Sequence, residues 1–519
     1  MLIQALQNPA LYDHATDTFQ LIETHISWII LTGPYAYKIK KPVNFGFLDF
    51  STLEKRRYFC QQELRLNRRL APQLYQNVIP ITGTAQSPQL NGSGTPIEYA
   101  VKMTQFPQQA QLDRVLNQSE LHPSHIDQLA KTIAEFHAQA DASSADTAFG
   151  SPSVVHHFMA ENFDQIQPLL TQLDDLRQLQ RLQTWSNHQF TLLTPMIEQR
   201  KRDGFVRECH GDMHLANMAL LKDNVVIFDC IEFNDSLRWI DSISEVAFTA
   251  MDLDDRQRPD LAARLLNGYM QHSGDYHGVA LLRFYQVYRA MVRAKVACLR
   301  LHQADLSDAE KHTIETQYRG YATLAEHYTR ATAPVMCLTH GVSGSGKTSI
   351  SQPLLEHFGM IRIRSDVERK RLFGLRPDEH STSATGQGIY TPQASRATYD
   401  RLSLLARTII EAGFSTIVDA TCLKRDERKR FRTLSKSLGV PFVILDFHVD
   451  EALARQWIIE RADAGDDASE ATVDVLQRQL ASREPLNSDE YDHVIHIDSS
   501  CDDAASRLIE QLDLYFERR

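Results

Sequence analysis

Gly341-Val342-Ser343-Gly344-Ser345-Gly346-Lys347-Thr348 decides how the C-terminal part of this chain is read. The spacing is G-x-x-x-x-G-K-[ST], and the flanks agree with it. An apolar run, Val335-Met336-Cys337-Leu338, leads into the loop, and a helix carrying Ile350, Leu354 and Leu355 leaves it. Glycines at these positions let successive backbone N–H groups converge on phosphate oxygens at a helix N-terminus. Lys347 then neutralises the outer phosphates, and the Thr348 hydroxyl stands where a Mg²⁺ ligand is needed, with Ser349 next to it. The alternative is a glycine-rich strand-to-helix turn that binds nothing. The pattern in its context points to a Mg²⁺-nucleoside triphosphate, ATP or another NTP.

Outward from the loop, short β-rich runs alternate with helical sequence: Val335 to Thr339, Met360 to Ile363, Ser415 to Val418, Phe442 to Phe447 and His493 to Ile497. Such alternation predicts an α/β domain with a parallel sheet covered on both faces. Asp366 and Asp419 fall at strand ends, where ligands of such sheets gather. Asp366 can accept a proton from a substrate hydroxyl, and Arg369, one turn on, can fix the acceptor or the transferring phosphate. Asp419 can hold the metal's water shell or orient substrate. Both acids could instead cap helices. The basic cluster Lys424, Arg425, Arg428, Lys429 and Arg430 reads as a solvated helix face rather than a binding patch. Arg455 and Arg461 lie at or before the polar segment Arg461 to Ser469, which has the composition of a lid closing over a nucleotide.

These residues resemble the small P-loop kinases related to gluconate kinase, the zeta toxins and the kinase domain of polynucleotide kinase. The resemblance implies Asp366 as general base, Arg369 on the acceptor, and Arg455 or Arg461 as lid arginines on the phosphates.

The N-terminal stretch carries a second constellation, His210-Gly211-Asp212-Met213-His214-Leu215-Ala216-Asn217, followed by the run Val225 to Phe228 and Asp229. A carboxylate and an amide five residues apart on a loop, with a second carboxylate after a strand, suit phosphoryl transfer. Asp212 takes the acceptor's proton, while Asn217 and Asp229 hold Mg²⁺. This resembles the catalytic loop of aminoglycoside and choline-type phosphotransferases, which implies an α+β protein-kinase-like fold. Such a fold needs a strand lysine paired with a helical glutamate. Tyr35 to Lys41 supplies the strand, and alternation puts Lys38 and Lys40 on one face. Lys38 is the first choice, Lys40 the reserve, and Glu63 the partner. A glycine-rich phosphate loop is missing, with only Gly33 marking the hairpin Thr32-Gly33-Pro34. Asp241 resembles the family's acid that braces the catalytic loop.

Around these motifs the pattern predicts strands at His25 to Leu31 and Glu98 to Met103 and a helix from about residue 51 to 70. Mainly helical sequence follows from about 122 to 330, starting behind a Ser124 cap. Ala331-Thr332-Ala333-Pro334 reads as a boundary between domains at 1–331 and 332–519. The combination resembles the bacterial two-domain proteins described as bifunctional aminoglycoside phosphotransferase/ATP-binding proteins.

The 519 residues are 43% hydrophobic and 23% charged, enough to bury more than one core. A net charge of −11 argues against a dedicated nucleic-acid binder. Seven scattered cysteines, no signal-like N-terminus and no long apolar run predict a reduced, cytoplasmic protein without a membrane span. The expected partner is a small-molecule hydroxyl acceptor. Two further readings stay open: a kinase-like N-terminal module that binds and regulates without catalysis, and a C-terminal ATPase switch.

Overall fold

A computed structural model describes residues 1–16, 18–46, 48–301, 306–381, 383, 387–464 and 467–517. Backbone proximity divides the chain into two compact units. The first comprises Met1–Thr132, Phe136–Asp164 and Asn187–Asp252, and the second Ile133–Glu135, Gln165–Ser186 and Leu253–Arg519.

The first unit is built on a six-stranded antiparallel sheet. Its strands are β1 (Gln20–Glu23), β2 (Ser27–Leu31), β3 (Tyr35–Lys40), β4 (Tyr75–Gly83), β5 (Pro88–Leu90) and β6 (Glu98–Thr104), in the order β1-β2-β3-β6-β4-β5. The β2–β3 hairpin turns at Gly33, whose φ of 98° a side chain would resist. Alternation along β3 sorts its residues. Tyr37 and Ile39 enter a core with Ile30, Ile79 and Ile81, while Lys38 and Lys40 reach Glu63 on the helix Leu53–Asn67. Thr52 caps that helix by accepting the Lys55 N–H at 3.3 Å. Strand β4 has no counterpart among the expected strands, because Asn77 and Pro80 interrupt its pattern. The helix expected behind Ser124 spans Pro123–Gln139 and is capped by His122 instead, since Pro123 suits the first helical position.

Two small ribbons complete this unit: β7 (Val206–Glu208) with β10 (Trp239–Asp241), and β8 (Met218–Leu221) with β9 (Asn224–Ile227). They bracket the loop from Cys209 to Asn217.

In the second unit, β11 (Met336–His340), β12 (Ile361–Arg364), β13 (Thr416–Asp419), β14 (Phe442–His448) and β15 (Val494–Asp498) form one parallel sheet, ordered β12-β13-β11-β14-β15. All five expected runs are strands. The helices Lys347–Phe358 and Ala504–Glu517 bury Leu354, Leu355, Leu508 and Leu512 against one face with Cys337, Ile417 and Val443. Pro392–Glu411 and Arg425–Leu438 cover the other face. This is the doubly covered α/β sheet expected from the alternation. Chain order reverses at β11, and a crevice opens at the C-terminal end of such a strand.

The helices Pro259–Ser273, Val279–Arg300 and Asp308–Tyr328 belong to the same unit. Asn267 joins the first of them to the sheet: its Nδ2 donates to Met360 O at 2.9 Å, and its Oδ1 accepts from the Arg362 N–H at 2.8 Å. No helix among the described residues is long and apolar enough to cross a membrane, and all seven cysteines are free thiols.

Candidate active sites

In the second unit the chain leaves β11 at His340 and enters the loop Gly341 to Thr348. Gly344 and Gly346 adopt φ of 77° and 75°. A Cβ on Gly344 would lie 2.5 Å from Ala454 O, so both conformation and space call for glycine there. Lys347 opens the helix that follows, and its Nζ donates to Gly341 O at 3.0 Å and Val342 O at 2.6 Å. Burial lowers its pKa to about 8, against the opposing pull of Asp419 and Asp366. The Thr348 hydroxyl donates to Asp419 Oδ2 at 2.8 Å.

These groups line a cavity of about 1050 Å³ together with Ser343, Ser345, Ser349, Asp366, Arg369 and Arg461. Asp366 stands in the first turn of the helix Ser365–Leu372. Arg369 donates from Nη1 to Ile389 O at 3.0 Å and Ser395 Oγ at 3.2 Å. Its buried Nε has no partner among the described residues. The residues fit a Mg²⁺-nucleotide: a lysine inside a glycine loop, a hydroxyl beside a carboxylate, and a lining arginine with an unsatisfied N–H.

Of the two expected lid arginines, Arg461 lines the cavity and donates to Ala471 O at 3.1 Å. Arg455 is turned to the exposed side of the helix Glu451–Ala464, where it pairs with Glu451 at 3.4 Å, and the structure does not bring it to the cavity. Of the expected lid segment, Gly465 and Asp466 lie outside the described residues.

Several lining residues carry no sequence motif. Arg364 pairs with Asp467 at 2.9 Å, Lys370 with Glu470 at 3.2 Å, and Glu470 Oε2 accepts from Tyr390 Oη at 3.2 Å. Gln479, on the helix Val473–Ser482, accepts the Ser343 N–H at 2.7 Å and donates to the Ser343 Oγ at 3.0 Å. Each joins segments about a hundred residues apart, a pairing that local pattern cannot reveal. The basic cluster after β13 is an ion-paired face rather than a purely solvated one. Arg428 is buried against Glu490 at 2.7 Å, and Arg425 meets Asp489 at 3.2 Å.

In the first unit, Glu63 sits between both lysines of β3: Lys38 at 2.8 Å and Lys40 at 2.7 Å. Lys38 also reaches Asp229 at 2.5 Å, and Lys40 also bonds Glu232. Burial would push the Glu63 carboxyl up, but the two ammonium groups hold it well below the usual range. Burial dominates at Glu232 and raises its pKa, with Lys40 opposing. Asp229 takes a φ of 64°, and its N–H donates to Tyr75 Oη at 3.2 Å. Asn217 Nδ2 donates to Asp212 Oδ2 at 2.9 Å, so that amide and carboxylate meet, and Asp212 is partly exposed.

What fixes the loop is the buried helix Ser242–Asp255. Glu245, Thr249 and Asp252, at i, i+4 and i+7, form one stripe along it. Glu245 Oε1 accepts the N–H groups of His210 at 2.8 Å and Gly211 at 2.6 Å, Thr249 Oγ1 donates to Met213 O at 2.7 Å, and Asp252 accepts from the Leu215 N–H at 2.9 Å. The bracing role expected of Asp241 therefore belongs to Glu245. Asp241 makes a buried bidentate pair with Arg200, both bonds 2.7 Å. The spacing of acids on an otherwise apolar helix was the signal available in the sequence.

With both geometries in view, the matches to known families have structural counterparts. Residues 54–282 match the model of the phosphotransferase enzyme family, and residues 336–486 match that of an AAA domain. The chain joins a phosphotransferase-family domain to a P-loop kinase-like domain. Both place it among the kinase and phosphotransferase enzymes, whose families use ATP and typically a divalent metal. An uncharacterised protein of Mycobacterium tuberculosis is 28% identical over 463 residues, covering 88% of this chain and 89% of that protein. Among solved structures, a gluconokinase from Sinorhizobium meliloti is 19% identical with a TM-score of 0.26, covering 36% of this chain and 99% of its own. A choline/ethanolamine kinase family protein from Mesorhizobium loti is 9% identical with a TM-score of 0.36, covering 63% of this chain and 100% of its own.

Proposed function

We propose that the chain is a phosphotransferase with two nucleotide sites, each moving the γ-phosphoryl of ATP to a hydroxyl of a small molecule such as a sugar, a nucleoside or an aminoglycoside-like acceptor. The observation that carries the reading is the single cavity shared by Lys347, Thr348, Asp366 and Arg369. In it, Asp366 takes the acceptor's proton as the acceptor oxygen bonds to the γ-phosphorus and the bond to the β–γ bridging oxygen breaks, leaving ADP. Arg369 orients the acceptor, and Lys347 and Arg461 offset charge on the phosphates. Thr348 and Asp419 would hold Mg²⁺, which would neutralise charge on the phosphates. In the first unit, Asp212 is the base, Asn217 and Asp229 are the metal ligands, and Lys38, fixed by Glu63, meets the phosphates.

A second reading makes the N-terminal site a binding and regulatory module. It is favoured by the contact between Lys38 and Asp229, which ties a metal ligand to the phosphate-binding lysine.

One experiment separates the two. ATP turnover of the full chain is measured against a panel of sugars, nucleosides and aminoglycosides, with Asp212→Ala, Asp366→Ala and Lys347→Ala variants. Two kinases predict acceptor-dependent turnover that Asp212→Ala removes for one acceptor, and Lys347→Ala and Asp366→Ala for another. Turnover untouched by Asp212→Ala supports the regulatory module. No acceptor-dependent turnover at all defeats the proposal.

A further inference from the structure

Three histidines converge on one buried carboxylate at the C-terminal end of β11, β14 and β15. Asp446 on β14 is paired in register with His340 on β11 and with His496 on β15, and His448 lies two residues on along its own strand. Period-two alternation and this register put all four side chains on one face. His340 Nδ1 meets Asp446 Oδ1 at 2.7 Å, while His448 Nε2 at 2.5 Å and His496 Nδ1 at 2.9 Å both meet Oδ2.

The two carboxylate oxygens stand in different surroundings. His340 is buried, and its Nε2 has no partner among the described residues. The proton therefore belongs on Nδ1, and the ring is a donor to Oδ1. That bond fixes the carboxylate and leaves Oδ2 to His448 and His496. The His448 and His496 side chains are 58% and 60% exposed, and both bring a ring nitrogen to the same carboxylate oxygen.

The geometry points to a divalent transition-metal site of the two-histidine, one-carboxylate type, with His448, His496 and Asp446 as ligands and His340 as the residue that orients Asp446. The ion it suits is borderline in softness, Zn²⁺ foremost, with water in the remaining position. The nitrogen and oxygen atoms lie within 4.8 Å of one another, and around a tetrahedral ion such atoms stand about 3.3 Å apart. His448 Nε2 and His496 Nδ1, at 2.5 and 2.9 Å from Asp446 Oδ2, would draw back from that oxygen to admit the ion. The orienting hydrogen bond from a buried group to a ligating carboxylate is the arrangement that tunes such sites. The ion would bridge β14 to the edge strand β15. A second group with ligand-like spacing, His137, Cys209 and Glu245, is buried, and Glu245 is already bonded to the loop backbone there.

The test is Zn²⁺ titration of the nucleotide-free full chain by competition with a chromogenic chelator. Wild type is compared with the His448→Ala/His496→Ala double variant and with His340→Asn. Co²⁺ absorption serves as a second readout. The expected result is one equivalent more for wild type than for the double variant, with a four-coordinate Co²⁺ spectrum lost in the variant. His340→Asn should weaken that equivalent about tenfold without changing its stoichiometry. Equal binding by wild type and the double variant, or no Zn²⁺ binding by wild type, overturns the site. The two exposed histidines can be removed without disturbing the core, and coincident thermal melts of the metal-free proteins verify that the variant folds.

Discussion

The Thr348 hydroxyl donates to Asp419 Oδ2 at 2.8 Å, joining the end of the phosphate loop to the end of β13. The two oxygens that the proposed function assigns to Mg²⁺ are thereby held together. Asp419→Asn should weaken Mg²⁺-ATP binding about 10- to 100-fold, the scale seen when a metal site loses a supporting carboxylate. Binding of ATP in the presence of a chelator should change far less. Calorimetric titration with and without Mg²⁺ checks this, and an equal loss in both conditions removes Asp419 from the metal site.

Lys347 carries a pH signature. Its folded-state pKa is depressed from 10.5 to about 8, chiefly by burial. Below pH 8 the buried ammonium is destabilising, and that cost is relieved as pH rises toward 10.5, where the unfolded state also loses its proton. A bound triphosphate favours the ammonium. Nucleotide affinity should therefore fall as pH rises past 8, and binding near that pH should take up a proton. Titration in buffers of differing ionisation enthalpy measures the uptake, and zero uptake near pH 8 contradicts the assignment.

Glu245 combines a structural and a pH prediction. Burial would raise its carboxyl, but the hydrogen bond from His137, the nearby His137 and His210 rings and the Gly211 N–H together hold it down to about 2. The depressed value gives stability that is present above the unfolded value of 4.5 and lost as pH falls toward 2, about 3 kcal/mol in all. Glu245→Gln should destabilise the first unit by about that much at neutral pH. Its melting temperature should also vary less between pH 4.5 and 2. A variant with wild-type acid sensitivity would locate the effect elsewhere.

The two lysines of β3 should separate function from folding. Lys40 is fully buried between Glu63 and Glu232, so Lys40→Met leaves Glu232 without its cation and Glu63 with Lys38 alone, and should cost about 3–5 kcal/mol. Lys38→Met leaves the Lys40–Glu63 pair in place and removes the contact to Asp229. It should fold and lose nucleotide binding at the N-terminal site. Circular dichroism melts and nucleotide titration of both variants decide; a folded Lys40→Met with a misfolded Lys38→Met reverses the assignment.

Features that are local in the chain were legible without coordinates. The phosphate loop needs consecutive residues in special backbone conformations, so Gly341, Gly344, Gly346, Lys347 and Thr348 announce themselves together. Strand alternation placed Lys38 and Lys40 on one face, and the β–α rhythm after residue 335 implied a parallel sheet. Asp366 and Asp419 stood out because strand ends are where such sheets gather their ligands.

Contacts made across the chain belonged to the tertiary structure. Glu245 braces a loop 34 residues before it, Gln479 bonds Ser343 from 136 residues away, and Arg364 meets Asp467 across 103. No spacing rule links such pairs, because a hydrogen bond depends on where two side chains end after packing, not on their separation along the chain. The same reason removed Arg455 from the cavity and kept Arg461 at it: six residues along a helix differ by most of two turns, and packing decides which side faces in. Sequence alone therefore determined the chemistry each motif offers, while packing within each unit decided which residues hold that chemistry in place.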